Sequence, residues 1–96
     1  MQPLINKGES KSFWSCLRHW APGARAKFHT HSSDQILIVT EGEGFVTTDK
    51  KKAKIGVGDF VFIPAGEKHW HGADKTGEFA YIQIQSGDSN TVQLED

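Results

Sequence analysis

No stretch of this chain keeps apolar residues at the 3.6-residue spacing over a helical length, and that absence constrains its fold more than any other feature. Short runs rich in β-branched and aromatic residues recur instead, separated by Gly, Pro and Asp. The first, Phe13–Trp20, closes at Pro22-Gly23. Residues 27–31 and 35–40 follow, the latter ending at Gly42. Residues 45–48 turn at Asp49-Lys50-Lys51 and return to Ile55. Phe60–Ile63 stops at Pro64-Ala65-Gly66, and residues 68–71, 79–85 and 91–94 complete the series. Roughly eight strands at this turn spacing predict an all-β chain without substantial helix, folded as an antiparallel jelly roll or barrel.

The chain has 96 residues, enough for one domain with a modest core at about residues 13–85. Eleven Lys and Arg against 12 Asp and Glu give a formal charge of -1, which offers nothing to a nucleic acid. The single cysteine, Cys16, has no internal disulfide partner, so a reducing compartment is expected. Residues 1–12 are polar and lack the apolar centre of a signal peptide. The longest apolar runs, 36–39 and Phe60–Ile63, are too short to cross a bilayer. The expectation is a cytoplasmic protein with no membrane partner.

Four of the five histidines fall in two His-x-His pairs, His29/His31 and His69/His71. Residues two apart on a strand share a face, so each pair aims two imidazoles into one space. This predicts two strands facing each other across a metal site. Gln35 follows the first pair closely; if His31 ends one strand and Gln35 opens the next, its side-chain oxygen can curl back to the same centre. Three imidazoles and one oxygen suit a single divalent transition metal ion, Mn, Fe, Ni, Co or Zn.

The segments Gly23-x5-His29-x-His31-x3-Gln35-x6-Gly42 and Gly58-x5-Pro64-x-Gly66-x2-His69 together resemble the two motifs of the cupin superfamily. The run Gly66-Glu67-Lys68-His69-Trp70-His71-Gly72-Ala73 and the segment from Ile38 to Gly44 resemble small single-domain cupins. That group includes manganese-dependent hydroxynitrile lyases and cupins associated with carboxymuconolactone decarboxylase. The resemblance implies a cupin jelly roll spanning residues 1–96 and metal ligands His29, His31, Gln35 and His69. It also implies pairing as a homodimer, with residues 1–12 and 86–96 at the contact. Most metal cupins carry Glu where this chain has Gln35, and the Asn that often ends the second motif is replaced by Ala73. A glutamine cancels none of the metal's charge, which favours Lewis-acid and proton-transfer chemistry over tight binding.

His71 shares a face with His69 and is either a proton carrier, with a reference pKa near 6.5, or a histidine held in place by a hydrogen bond. Trp70 points the opposite way, toward packing. On the first strand Cys16, Arg18 and Trp20 share one face, which the resemblance places inside the barrel. An inward Arg18 needs a partner, either a substrate carboxylate or an internal acid. Cys16 reads as a small buried apolar side chain. On the late strand Tyr81, Gln83 and Gln85 alternate with Ala80, Ile82 and Ile84; family analogy turns the polar set to the cavity, and the alternative is an apolar set facing a closed core with the polar set in water. Tyr81 stands where relatives have a pocket histidine. Phe13, Phe28, Phe45, Phe60, Phe62 and Phe79 are expected to fill the core, and Asp59 to cap a turn.

Two functions follow. The first is a metal-dependent enzyme acting on a small polar molecule, with His71, Tyr81 and Arg18 as its catalytic residues. Lyase, isomerase, decarboxylase-like and dioxygenase reactions stay open. The second is a non-catalytic module that binds or senses a small molecule.

Overall fold

A computed structural model describes residues 2–6, 8–48 and 50–94, so Asp49 of the expected turn lies outside the described residues. The strands are β1 (Gln2–Ile5), β2 (Phe13–Trp20), β3 (His29–His31), β4 (Gln35–Glu41) and β5 (Glu43–Thr48). They continue with β6 (Lys52–Gly56), β7 (Phe60–Ile63), β8 (His69–Ala73), β9 (Phe79–Ser86) and β10 (Thr91–Gln93). No described residue is helical. One sheet runs β1-β2-β9-β4-β7 and the other β10-β3-β8-β5-β6, all pairs antiparallel. The all-β jelly roll expected from the punctuation of the sequence is the fold observed. β1 is an addition: four residues that include Pro3 carry no alternating strand signal, and pairing with β2 imposes extension on them.

Two close approaches hold the sheets in register. Gly42 has φ +71°, and a Cβ there would lie 1.9 Å from the Glu78 carbonyl oxygen. A Cβ on Gly44 would stand 2.6 Å from the Phe79 ring. Both positions admit only glycine without backbone movement. As expected, Asp59 caps the 56–59 turn, its carboxylate accepting the Gly56 N–H at 2.8 Å.

The core gathers Leu37, Val39, Val46, Ile55, Ile63, Ala73, Phe79 and Tyr81 between the sheets. Only one of the six expected phenylalanines is buried there, Phe79. Phe28 and Phe45 are half-buried, whereas Phe13, Phe60 and Phe62 are exposed. The reason is register. Ile63 and Val61 take the inward positions of β7, so Phe60 and Phe62 project outward beside Ile38 and Ile36 of β4. The outer face of the first sheet is therefore apolar. The outer face of the second is cationic and aromatic: the Arg25 guanidinium lies 4.8 Å from the Trp70 ring and Lys52 Nζ 4.2 Å from Phe45.

Candidate metal centre

Antiparallel pairing sets His29 of β3 directly opposite His69 of β8. His31 and His71 lie two residues along on the same inner face, and all four rings are buried. The two His-x-His strands are thus neighbours in one sheet, which corrects the expectation of two strands facing each other across a metal site. β4 belongs to the other sheet, and its first residue, Gln35, is fully buried. His31 does end one strand and Gln35 does open the next.

Ligand nitrogens of His29, His31 and His69 lie within 4.8 Å of one another. Each ring is oriented from behind. His29 Nδ1–H donates to the Lys27 carbonyl at 2.6 Å, and His69 Nδ1–H to the Glu67 carbonyl at 2.9 Å. A carbonyl oxygen can only accept, so both Nε2 atoms carry lone pairs. His31 Nδ1 meets the Thr91 hydroxyl at 2.9 Å. Nε2 of His31 and of His69 are buried without a hydrogen-bond partner, and so is Oε1 of Gln35. The Gln35 amide is steered the same way: its Nε2–H donates to Gln85 Oε1 at 3.4 Å, leaving the oxygen unpaired. Buried acceptors without donors cost stability. A set of imidazole lone pairs with an amide oxygen meets the donor chemistry of a divalent transition metal.

Burial keeps these rings neutral. It pulls the His31 pKa down to about 4, helped by the charges of His29, His69 and Arg18. Burial also brings His69 to about 4, despite its bond to Glu67, and lowers His29. Neutral imidazole is the form that binds metal.

His71 is wired in the opposite sense. Trp20 Nε1–H donates to the Tyr81 hydroxyl at 3.0 Å, and that hydroxyl meets His71 Nδ1. Indole N–H can only donate, so Tyr81 accepts from Trp20, and its own O–H is left to donate to His71 Nδ1. The network thereby assigns the His71 proton to Nε2, which is buried and unpaired. His71 presents an N–H where His29 and His69 present lone pairs. Burial, then the other histidines and Arg18, hold its pKa well below the usual value.

A cavity of about 550 Å³ opens onto the site, lined by Trp14, Arg18 and Trp20 of β2, by His29, His31 and His71, and by Gln83, Gln85 and Thr91. The inward placement expected for Arg18 and Trp20 is observed, and so is that of Gln83 and Gln85. Tyr81 does not line the cavity; it is fully buried behind His71 and reaches it only through that ring. Burial raises the Tyr81 pKa, so its hydroxyl stays protonated. Cys16 is buried, with its thiol pushed up by desolvation against the pull of Arg18. His19 is exposed beside Glu78, and Trp70 packs edge-on to Phe28 on the outer face. Trp14 and Thr91 were missed from sequence. Trp14 shares the period-two face of Cys16 and Arg18 and was legible on that ground. Thr91 carries no signal, because it meets His31 only through the β10–β3 pairing.

Comparison with known proteins agrees with the fold. The Cupin domain family matches residues 16–85. An (R)-mandelonitrile lyase of Granulicella tundricola is 45% identical over 84 residues, 86% of this chain and 59% of that protein. A gentisate 1,2-dioxygenase of a Ralstonia species is 31% identical over 64 residues, 66% of this chain and 18% of that enzyme. The chain thus spans 59% and 18% of the lengths of these relatives. The crystal structure of a cupin-like protein of Thermotoga maritima superposes with a TM-score of 0.92 at 31% identity, covering 99% of this chain and 74% of that one. No helix among the described residues is long and apolar enough to cross a membrane. With its two-sheet barrel, its inward histidines and a family match over most of its length, this chain belongs to the cupin family.

Proposed function

We propose that this cupin is a metal-dependent enzyme acting on a small polar organic molecule, with one divalent transition metal on His29, His31, His69 and Gln35. The observation that carries the reading is the set of buried, unpaired polar atoms, Nε2 of His31 and His69 and Oε1 of Gln35, with a histidine triad whose rings are braced from behind. The metal would supply Lewis-acid stabilisation of charge developing on a substrate oxygen. His71 Nε2–H faces the same space and is placed to give a proton to, or hold one near, a reacting group. Tyr81 and Trp20 fix its ring and tautomer, so Tyr81 is a positioning residue. Arg18 orients the substrate from the β2 side. Lyase and isomerase chemistry fits the charge-neutral ligand set best. The lyase and dioxygenase names carried by relatives support an enzyme over a passive binder.

The same proposal includes a homodimer. The outer face of β2, β9, β4 and β7 aligns Leu17, Ile82, Ile38 and Phe60 in one row and Ile84, Ile36 and Phe62 in the next. A second copy is the occupant that a self-complementary apolar sheet face fits. Sedimentation of a pure monomer would remove this part.

Metal analysis of the purified protein, before and after loading with manganese or iron, tests the site. One ion per chain is expected, falling to none after chelation; a protein that takes up no ion on supplementation ends the proposal. His71→Ala separates catalyst from binder. It should keep the metal and lose turnover.

A further inference from the structure

We propose that the cavity takes an anionic substrate, a small organic acid whose carboxylate is held by Arg18 beside the histidine cluster. This rests on the reading of the cavity as a substrate site. Arg18 sits on the inner face of β2, across from Tyr81 in the β2–β9 ladder, and lines the cavity. Its Nε is buried without a hydrogen-bond partner. Among the described residues no carboxylate forms an ion pair with it. Arg18 is half-buried and its guanidinium lies beside the Cys16 thiol, so its charge is partly desolvated and no carboxylate among the described residues offsets it.

The rest of the lining sharpens the requirement. Among the described residues no Asp or Glu lines the cavity, while Lys27 adds a second positive charge to its lining. Gln35 stands where an acid would have supplied a negative one. The pocket is therefore positive before any metal enters and more so afterwards. An uncharged ligand such as a cyanohydrin would leave the guanidinium unpaired. A carboxylate meets its fork with charge-assisted hydrogen bonds, and a hydroxyl or carbonyl on the next carbon would be free for the histidine side. Trp14 and Trp20 give the remaining walls an aromatic surface for an apolar body.

Mandelate with mandelamide, and lactate with lactamide, are the probes, since each pair differs chiefly in the charge. Calorimetric titration of the full chain, manganese-loaded, should show the acid binding at least roughly tenfold more tightly than its amide. Arg18→Gln should abolish that preference at unchanged manganese stoichiometry, and Arg18→Lys should restore part of it. The Nε–H resonance of Arg18 in nitrogen-15-labelled wild-type protein should shift with the acid and stay fixed with the amide. This last reading needs no variant and is repeated on metal-free protein. Equal affinity for acid and amide, failure of both acids to bind, a preference that survives Arg18→Gln, or an unmoved Arg18 resonance would each overturn the inference. Failure of the enzyme proposal looks different: no manganese would bind, whatever Arg18 reports.

Discussion

The two ends of the barrel interior use the same strands and are filled by opposite chemistry. Along β8 the inner positions run from His69 through His71 to Ala73; along β4 they run from Gln35 through Leu37 to Val39. Antiparallel β9 runs the other way, from Phe79 through Tyr81 to Gln83 and Gln85. At one end Phe79, Val46, Ile55 and Ala73 close the barrel with apolar contacts. At the other, imidazoles and amides surround a cavity and keep several polar atoms unpaired. The seam is the Trp20–Tyr81–His71 chain of hydrogen bonds. The difference teaches a division of labour. The apolar end carries stability, and the polar end holds a stability deficit that a bound cation and substrate would relieve.

Acid should break the contrast most strongly. Above pH ~6.5 the site histidines are neutral in both folded and unfolded chains. Below it the unfolded chain takes up protons that His31 and His69 refuse until about pH 4. Stability of the metal-free protein should therefore fall as pH drops through this window, by on the order of several kcal/mol. Denaturant titrations giving a flat profile between those limits would contradict the buried, neutral cluster. Phe79→Ala attacks the other end and should cost ~3–5 kcal/mol at neutral pH, measured the same way, because the barrel leaves little room for collapse around the cavity. His69→Ala should do the reverse of Phe79→Ala. Metal affinity falls by more than roughly a hundredfold, while the metal-free protein keeps its stability at neutral pH and loses less of it in acid. Competition titration against a chelator and acid unfolding of the variant read both halves. The smallest effect is expected from Gln35→Glu. The added charge should tighten manganese binding by about tenfold while destabilising the metal-free fold, which must then bury a carboxylate. A variant that binds metal no better than wild type would take Gln35 out of the ligand set.

Most strands were legible because alternation and turn residues are local signals, and Phe13–Trp20 and Phe60–Ile63 fall where they were expected. The phenylalanines were not. Whether Phe62 or Ile63 points inward depends on which of the two aligns with Gln35 across the β4–β7 ladder, and composition does not carry that register. The site divides in the same way. The His-x-His spacing declares that two rings share a face, wherever the strand is placed. It does not declare whether the second pair arrives from the same sheet or the opposite one.

Sequence alone therefore determined the class of fold, the pairing of the histidines and the sharing of one face by Cys16, Arg18 and Trp20, because turn spacing and a period of two are local signals, while the inward sense of that face came from family resemblance. Tertiary structure alone decided that β3 and β8 are neighbours, that Thr91 braces His31, and that the Tyr81 hydroxyl stands against His71 Nδ1. Those are contacts between residues distant along the chain. Their geometry is set by sheet order and by the hydrogen-bond demands of buried groups, neither of which any short segment contains.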